Sequence, residues 1–135
     1  MVRKLIWLVV AVLSGVCPVA AEVAPVALPG DVVLAIEGEG LSVSLTEVRD
    51  VRCPSEVRCV WEGEIRVILT LHPGSPTAQE LVLCNWCTDG ERSSLAAGYR
   101  FELVRLDPPV AVIEDLGRPA VVTDYTVYVT IFPAR

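Results

Sequence analysis

Apolar and polar residues alternate along several segments of this chain, and this period of two constrains its fold more than any other feature. Leu41, Val43 and Leu45 alternate with hydroxyl residues, and Tyr125 to Ile131 carries the same pattern. Such alternation is typical of a strand with one buried and one solvent-facing side. With short apolar runs between turn residues included, six segments are predicted as strands: 31–36, 41–46, 64–71, 80–83, 99–106 and 121–132.

Strands at such short spacing predict an all-β fold, an antiparallel β-sandwich or barrel of about seven strands. In the segment 99–106, the period of two places Tyr99, Phe101, Leu103 and Arg105 on one face. Only 92–97 has the composition of a helical turn.

The chain divides into three predicted parts. Residues 1–21 are predicted as a signal peptide, 22–30 as a loose linker rich in proline and alanine, and 31–135 as a single all-β domain.

The first part has the layout of a secretory signal. Arg3 and Lys4 precede an unbroken apolar run, 5–13, and 19–21 places small residues before a cleavage point at Glu22. We therefore expect cleavage before Glu22 and a periplasmic or secreted protein.

Two alternatives to cleavage remain open. Residues 5–21 could stay as a membrane anchor, although the segment is short for a span. Cys17 could be lipidated, although the residues before it lack the leucine expected three positions upstream.

Charge and composition exclude several function classes. Without residues 1–21 the chain has 9 basic and 17 acidic side chains, a net charge of −8. Such a surface disfavours nucleic acid and anionic lipid. One histidine, His72, excludes most histidine-based catalysis. No nucleotide-binding or metalloprotease motif is present, so we expect no enzyme, no cofactor and no metal.

Acidic side chains are the remaining source of catalytic or metal chemistry. Glu62 and Glu64 share a strand face and are predicted as a solvated edge, because a small sandwich has little room for a sugar cleft. Asp107, Glu114 and Asp115 lack an ordered calcium loop.

Four cysteines follow the predicted signal: Cys53, Cys59, Cys84 and Cys87. An even number in a short exported chain predicts two disulfides. Local pairing within each half is the simplest connectivity, and crossed pairing between the halves remains open. Two competing interpretations are a four-thiolate zinc site and a redox dithiol at the C-x2-C pair, Cys84 and Cys87.

The stretch 50–63 carries a motif, D-x-R-C-P-x4-C-x-W-x-G. With a Gly-Tyr strand at 98–108 and a tyrosine-containing final strand, it resembles a pattern in small exported bacterial proteins and lipoproteins, a family of uncharacterised function. The resemblance implies export and a fold type and carries no activity. It also implies a bond between Cys53 and Cys59, which leaves Cys84 to bond Cys87, a pair outside the family pattern.

The motif predicts a structural corner. Asp50 and Arg52 lie two residues apart on a strand and can form an ion pair. Trp61 could cover the first disulfide as a buried lid, and Gly63 would permit a bulge or a close backbone pass. The alternative is a binding corner in which Arg52 and Trp61 are exposed.

A second candidate surface is the segment 84–90, which places Trp86 between two cysteines. We predict a clipped, exposed loop tip in which Trp86 anchors a partner. The alternative is that Trp86 folds back and caps the core.

The predicted function is a non-enzymatic binding or structural module, with Trp86, Arg52 and Trp61 as candidate binding residues. Its partner is unknown, a cell-envelope or extracellular protein being the expected class. The alternative is a thiol–disulfide redox protein that uses Cys84 and Cys87.

Overall fold

The computed structural model describes residues 22–36, 40–72, 74 and 77–135, and it has an all-β architecture. Two four-stranded antiparallel sheets face each other as a β-sandwich, in the orders β1-β8-β7-β6 and β2-β3-β4-β5. The strands are β1 Val26–Pro29, β2 Val33–Ile36, β3 Leu41–Arg52, β4 Gly63–His72, β5 Gln79–Asn85, β6 Ser93–Ala96, β7 Tyr99–Asp107 and β8 Thr126–Pro133. The predicted fold class is therefore confirmed, with eight strands in two separate sheets.

The core lies between the sheets and is built from the alternating residues that the sequence singled out. Val43 and Leu69 face inward from one sheet, and Phe101, Leu103 and Val127 face inward from the other, all of them fully buried. The residues that alternate with them point to the outer faces, as the period of two requires, although Ser44 among them is buried.

A bulge in β7 corrects one predicted face. The register with β8 shifts between Leu103 and Arg105, so Leu106 is buried where Arg105 was expected. Arg105 instead stacks over the ring of Tyr128, with its guanidinium carbon 3.6 Å from the ring centre. A bulge adds one residue to a strand and thereby reverses the alternation beyond it.

The prediction of a loose linker at 22–30 was wrong for the second half of this segment. Val26–Pro29 forms β1, which pairs with β8 along the edge of the sheet, and Leu28 is fully buried. Proline is tolerated here because an edge strand leaves one side without ladder hydrogen bonds.

The helical elements also differ from expectation. Residues 92–97, predicted as a helical turn, contain the strand β6, and the short helix α1 lies at Val110–Glu114. Residues 121–125, predicted as the start of the last strand, contain a 3-10 turn at Val122–Asp124. The Asp124 carboxylate accepts a hydrogen bond from the Val121 backbone N–H at 2.8 Å, which favours a turn over an extended chain.

Among the described residues, no helix is long and apolar enough to cross a membrane. The predicted signal peptide, residues 1–21, lies outside the described residues.

Candidate binding surface at the disulfide end

Both disulfide loops lie at the same end of one sheet. Arg52, the last residue of β3, pairs with Gly63, the first residue of β4, and Asn85 at the end of β5 pairs with Ile65. Because neighbouring strands run antiparallel, the connection 53–62 and the segment after Asn85 lie at the same end of the sheet. We call this end of the sheet the disulfide end.

The first loop is closed by a disulfide between Cys53 and Cys59, whose Cα atoms lie 6.0 Å apart. The Cys53 backbone N–H donates to the Glu62 carbonyl at 3.2 Å, so the two ends of the loop are also joined through the backbone. The predicted local pairing is confirmed for this loop.

Gly63 closes this loop with a backbone φ of +92°. A Cβ atom there would contact the Val51 carbonyl oxygen and would lie 2.6 Å from the Cα atom of Arg52. The predicted close backbone pass is therefore present, and it excludes any side chain at this position.

Asp50 and Arg52 form the predicted ion pair beneath the loop. Arg52 donates from Nε to Asp50 Oδ1 at 2.8 Å and from Nη2 to Asp50 Oδ2 at 2.7 Å. The same guanidinium donates to the carbonyls of Leu106 at 3.2 Å and Pro108 at 2.9 Å. Arg52 thus joins the end of β3 to the end of β7 in the opposite sheet.

The electrostatics of Asp50 reflect two opposing effects. Burial acts to raise the pKa of its carboxyl, but hydrogen bonds from the Arg52 side chain and backbone N–H outweigh burial, and the net pKa lies below its usual value. The side chains of Asp50 and Arg52 are only 8% and 14% exposed. Arg52 therefore positions the loop and leaves little of its guanidinium for a partner.

The second loop is closed by a disulfide between Cys84 and Cys87, with Cα atoms 5.8 Å apart, as the local pairing predicted. The Cys84 backbone N–H donates to the Glu91 carbonyl at 2.9 Å. The next carbonyl, that of Arg92, accepts from the Leu103 backbone N–H in the other sheet at 2.9 Å. The segment after Cys87 therefore crosses from one sheet to the other and ties their edges together.

Cys84 is buried by its own loop and not by the core. It pairs with Arg66 across the sheet, and cross-strand partners share a face, so its side chain lies on the outer face. It is nevertheless only 2% exposed. Gly90 lies directly against it, since a Cβ atom at Gly90 would approach the Cys84 Cβ atom to 2.7 Å.

Large apolar side chains are exposed in both loops. Trp61 is 54% exposed and Trp86 is 55% exposed, and Val60, beside Trp61, is fully exposed. Trp86 has a positive φ of 61°, a left-handed turn conformation that is uncommon outside glycine. The buried lid proposed for Trp61 and the core cap proposed for Trp86 are therefore not what the structure shows.

A shallow cavity of about 380 Å³ lies beside Trp61, with Arg52, Pro54 and Cys59 in its wall. The cavity is therefore lined both by the exposed Trp61 and by Arg52 at the base of the first loop.

Both cysteine pairs are oxidised within their own loops, so the four-thiolate zinc site is not formed. The ligand atoms of Glu64, Cys84 and Cys87, in contrast, lie within 4.8 Å of one another. Sequence reasoning missed Glu64 as a neighbour of this pair, because only the register of β4 against β5 brings the two together.

The only histidine, His72, lies exposed at the other end of β4. Comparison with known proteins found no matching family, no matching curated protein and no matching solved structure.

Proposed function

We propose that this chain is a non-enzymatic binding module that engages a protein partner through its disulfide end. The observation that carries the proposal is the exposure of Trp61 and Trp86, each more than half exposed, at the disulfide end. Trp86 lies inside the Cys84–Cys87 ring, and Trp61 lies two residues beyond the Cys53–Cys59 disulfide. The partner is a protein of the cell envelope or of the extracellular space. This location rests on the signal-like sequence of residues 1–21 and on the motif resemblance.

Exposed tryptophans are favourable anchors for a partner. Tryptophan buries a large apolar area on binding and is enriched among residues that dominate interface energies. Val57 and Val60 extend the apolar surface of the first loop, being 56% exposed and fully exposed.

Covalent and hydrogen bonds constrain both loops in the absence of a partner. The Cys84–Cys87 disulfide encloses Trp86, whereas the hydrogen bond between the Cys53 N–H and the Glu62 carbonyl encloses Trp61. The Asp50–Arg52 pair fixes the base of the first loop. A preorganised loop loses less conformational entropy on binding, so more of the contact energy contributes to affinity.

The alternative, a thiol–disulfide enzyme at Cys84 and Cys87, has less support. Cys84 is 2% exposed, which hinders attack on its sulfur by a substrate thiolate. The Glu64 carboxylate lies beside both sulfurs, and a neighbouring negative charge opposes a reactive thiolate. Cys84 also lies in a strand, next to its last residue, whereas reactive cysteines are commonly stabilised by a helix N-terminus.

Site-specific photo-crosslinking tests the proposal. A photoreactive phenylalanine analogue replaces Trp86 in the full chain, and a matched variant carries it at Leu95, which is 58% exposed on β6. We expect crosslinks from position 86 to one envelope or extracellular protein, and these crosslinks should be competed by the unmodified chain. Equal crosslinking from both positions, or no competition, would contradict the proposal.

A further inference from the structure

We propose that Cys84, Cys87 and Glu64, once their disulfide is reduced, bind one thiophilic divalent cation such as Zn²⁺. This inference goes beyond the binding function and does not depend on it. It assigns the second loop two alternative closed states, one held by a disulfide and one held by a metal ion.

The ligand atoms of the three residues are close enough to be brought to one ion, since they lie within 4.8 Å of one another. Zinc lies about 2.3 Å from thiolate sulfur and about 2.0–2.2 Å from carboxylate oxygen, so these ligand atoms would be separated by roughly 3.5–3.8 Å around a tetrahedral ion. The two sulfurs, now bonded to each other, must therefore move apart after reduction. Side-chain rotations can supply this movement with the Cα atoms of Cys84 and Cys87 kept near 5.8 Å.

The sheet register holds the carboxylate in place. Cys84 pairs with Arg66 across the sheet, and Glu64 precedes Arg66 by two residues, so all three side chains share the outer face. The spacing of the cysteines, C-x2-C, is the spacing with which zinc-binding loops supply two thiolates. Two thiolates come from the loop and the third ligand comes from β4.

Charge favours a cation once the disulfide is open. Two thiolates and the Glu64 carboxylate would place three negative charges close together, and a divalent cation relieves their repulsion. Arg66 now contacts Glu64 at 3.3 Å and Asp89 at 2.7 Å. When the Glu64 carboxylate turns to the metal ion, Arg66 keeps its shorter contact, the one with Asp89. The positive charge of Arg66 therefore still has an acidic partner.

The chemistry balances in two steps. A phosphine breaks the S–S bond and is itself oxidised to the phosphine oxide, which takes its oxygen atom from one water molecule. The two protons of that water convert the two sulfurs into thiols. Binding of the ion then displaces both thiol protons, and three protein ligands leave one coordination position for water. The ion and the disulfide are mutually exclusive, because both use the same two sulfurs.

Zinc titration of the full chain, reduced with a water-soluble phosphine, tests the site. Competition against a chromophoric chelator gives the stoichiometry and the dissociation constant, and Co²⁺ or Cd²⁺ reports thiolate coordination through charge-transfer absorption. We expect one ion per reduced chain and none per oxidised chain. Alkylation mapping should show that Zn²⁺ protects Cys84 and Cys87 more than Cys53 and Cys59.

Matched variants distinguish a three-ligand site that includes Glu64 from zinc binding by the two thiols alone. Glu64→Gln should weaken zinc binding at least tenfold, whereas Glu62→Gln, at an exposed position two residues away, should leave it unchanged. Because Glu64 is distant in sequence from Cys84, an unfolded chain would not distinguish these two variants. Equal affinity of Glu64→Gln and the wild type, or equal alkylation protection of both cysteine pairs, would overturn the proposal.

Discussion

The Arg52 guanidinium donates two parallel hydrogen bonds to the Asp50 carboxylate, at 2.8 and 2.7 Å, beneath the first disulfide loop. Two further N–H groups of the guanidinium donate to the carbonyls of Leu106 and Pro108. The Tyr125 side chain also helps to lower the pKa of the Asp50 carboxyl. This single ion pair therefore connects both sheets at the disulfide end and sets the position of the loop that carries Trp61.

Removal of the Asp50 charge should be strongly destabilising. Asp50→Asn leaves the largely buried Arg52 without its carboxylate, and we expect a loss of about 3 kcal/mol in the free energy of unfolding. The exposed pair of Arg105 and Asp107, at 3.2 Å, is the control, and Asp107→Asn should cost less than about 1 kcal/mol. Urea denaturation of both variants checks this, and similar losses would contradict the structural role of Asp50.

Stability should fall in acid as two aspartates are protonated. Arg118 donates to Asp124 at 2.7 and 2.8 Å and, with the Val121 N–H, lowers the pKa of Asp124 from 3.8 to about 2. The pKa of Asp50 is also lowered. A carboxyl group whose pKa is lower in the folded state than in the unfolded state stabilises the fold at pH values above its unfolded-state pKa. This contribution to stability is lost as the pH falls through the folded-state pKa.

The expected window is therefore from about pH 4 down to about pH 2. Urea midpoints measured from pH 5 to pH 2 should decrease for the wild type. They should decrease less for Asp124→Asn, which has no carboxyl to protonate at this position. A variant with the same pH dependence as the wild type would show that Asp124 does not contribute.

Two glycines with similar backbones should respond differently to alanine. Gly98 has a φ of +79° and open space around it, so Gly98→Ala should cost only backbone strain, about 1 kcal/mol. At Gly63, φ is +92° and a Cβ atom would also contact the Val51 carbonyl and the Arg52 backbone. Gly63→Ala should therefore cost roughly 3 kcal/mol or more, measured by urea denaturation. Equal costs would mean that the first loop can shift to make room.

The exposed tryptophans should matter little for stability. Trp61→Ala and Trp86→Ala should each change the free energy of unfolding by less than about 1 kcal/mol, because both side chains are more than half exposed. Phe101→Ala, at a fully buried position, should cost about 3–5 kcal/mol. Thermal melts of the three variants check the contrast, and a large loss at Trp86 would remove it from the proposed binding surface.

Much of this fold is predictable from local sequence pattern. The alternation around Val43, Leu69 and Val127 identifies buried strand faces, because side chains on a strand must alternate sides. Turn residues between the strands indicate antiparallel neighbours. The short separation of each cysteine pair likewise favours the local disulfides that the structure contains.

Two features of the fold, the strand β1 and the bulge in β7, depend on partners that are distant in the sequence. β1 forms because it pairs with β8 and buries Leu28 in the core. The bulge near Arg105 depends on the register between β7 and β8. Neither interaction has a local signal, since each is set by pairing with another strand.

The candidate sites follow the same division. The positions of Trp61 and Trp86 next to paired cysteines are readable from the sequence alone, because disulfide loops and turns are short-range features. Their exposure at one end of the sheet, and the contact of Glu64 with Cys84, become visible only in the folded chain. Exposure and cross-strand neighbours depend on sheet register, which joins residues about 20 positions apart in the chain.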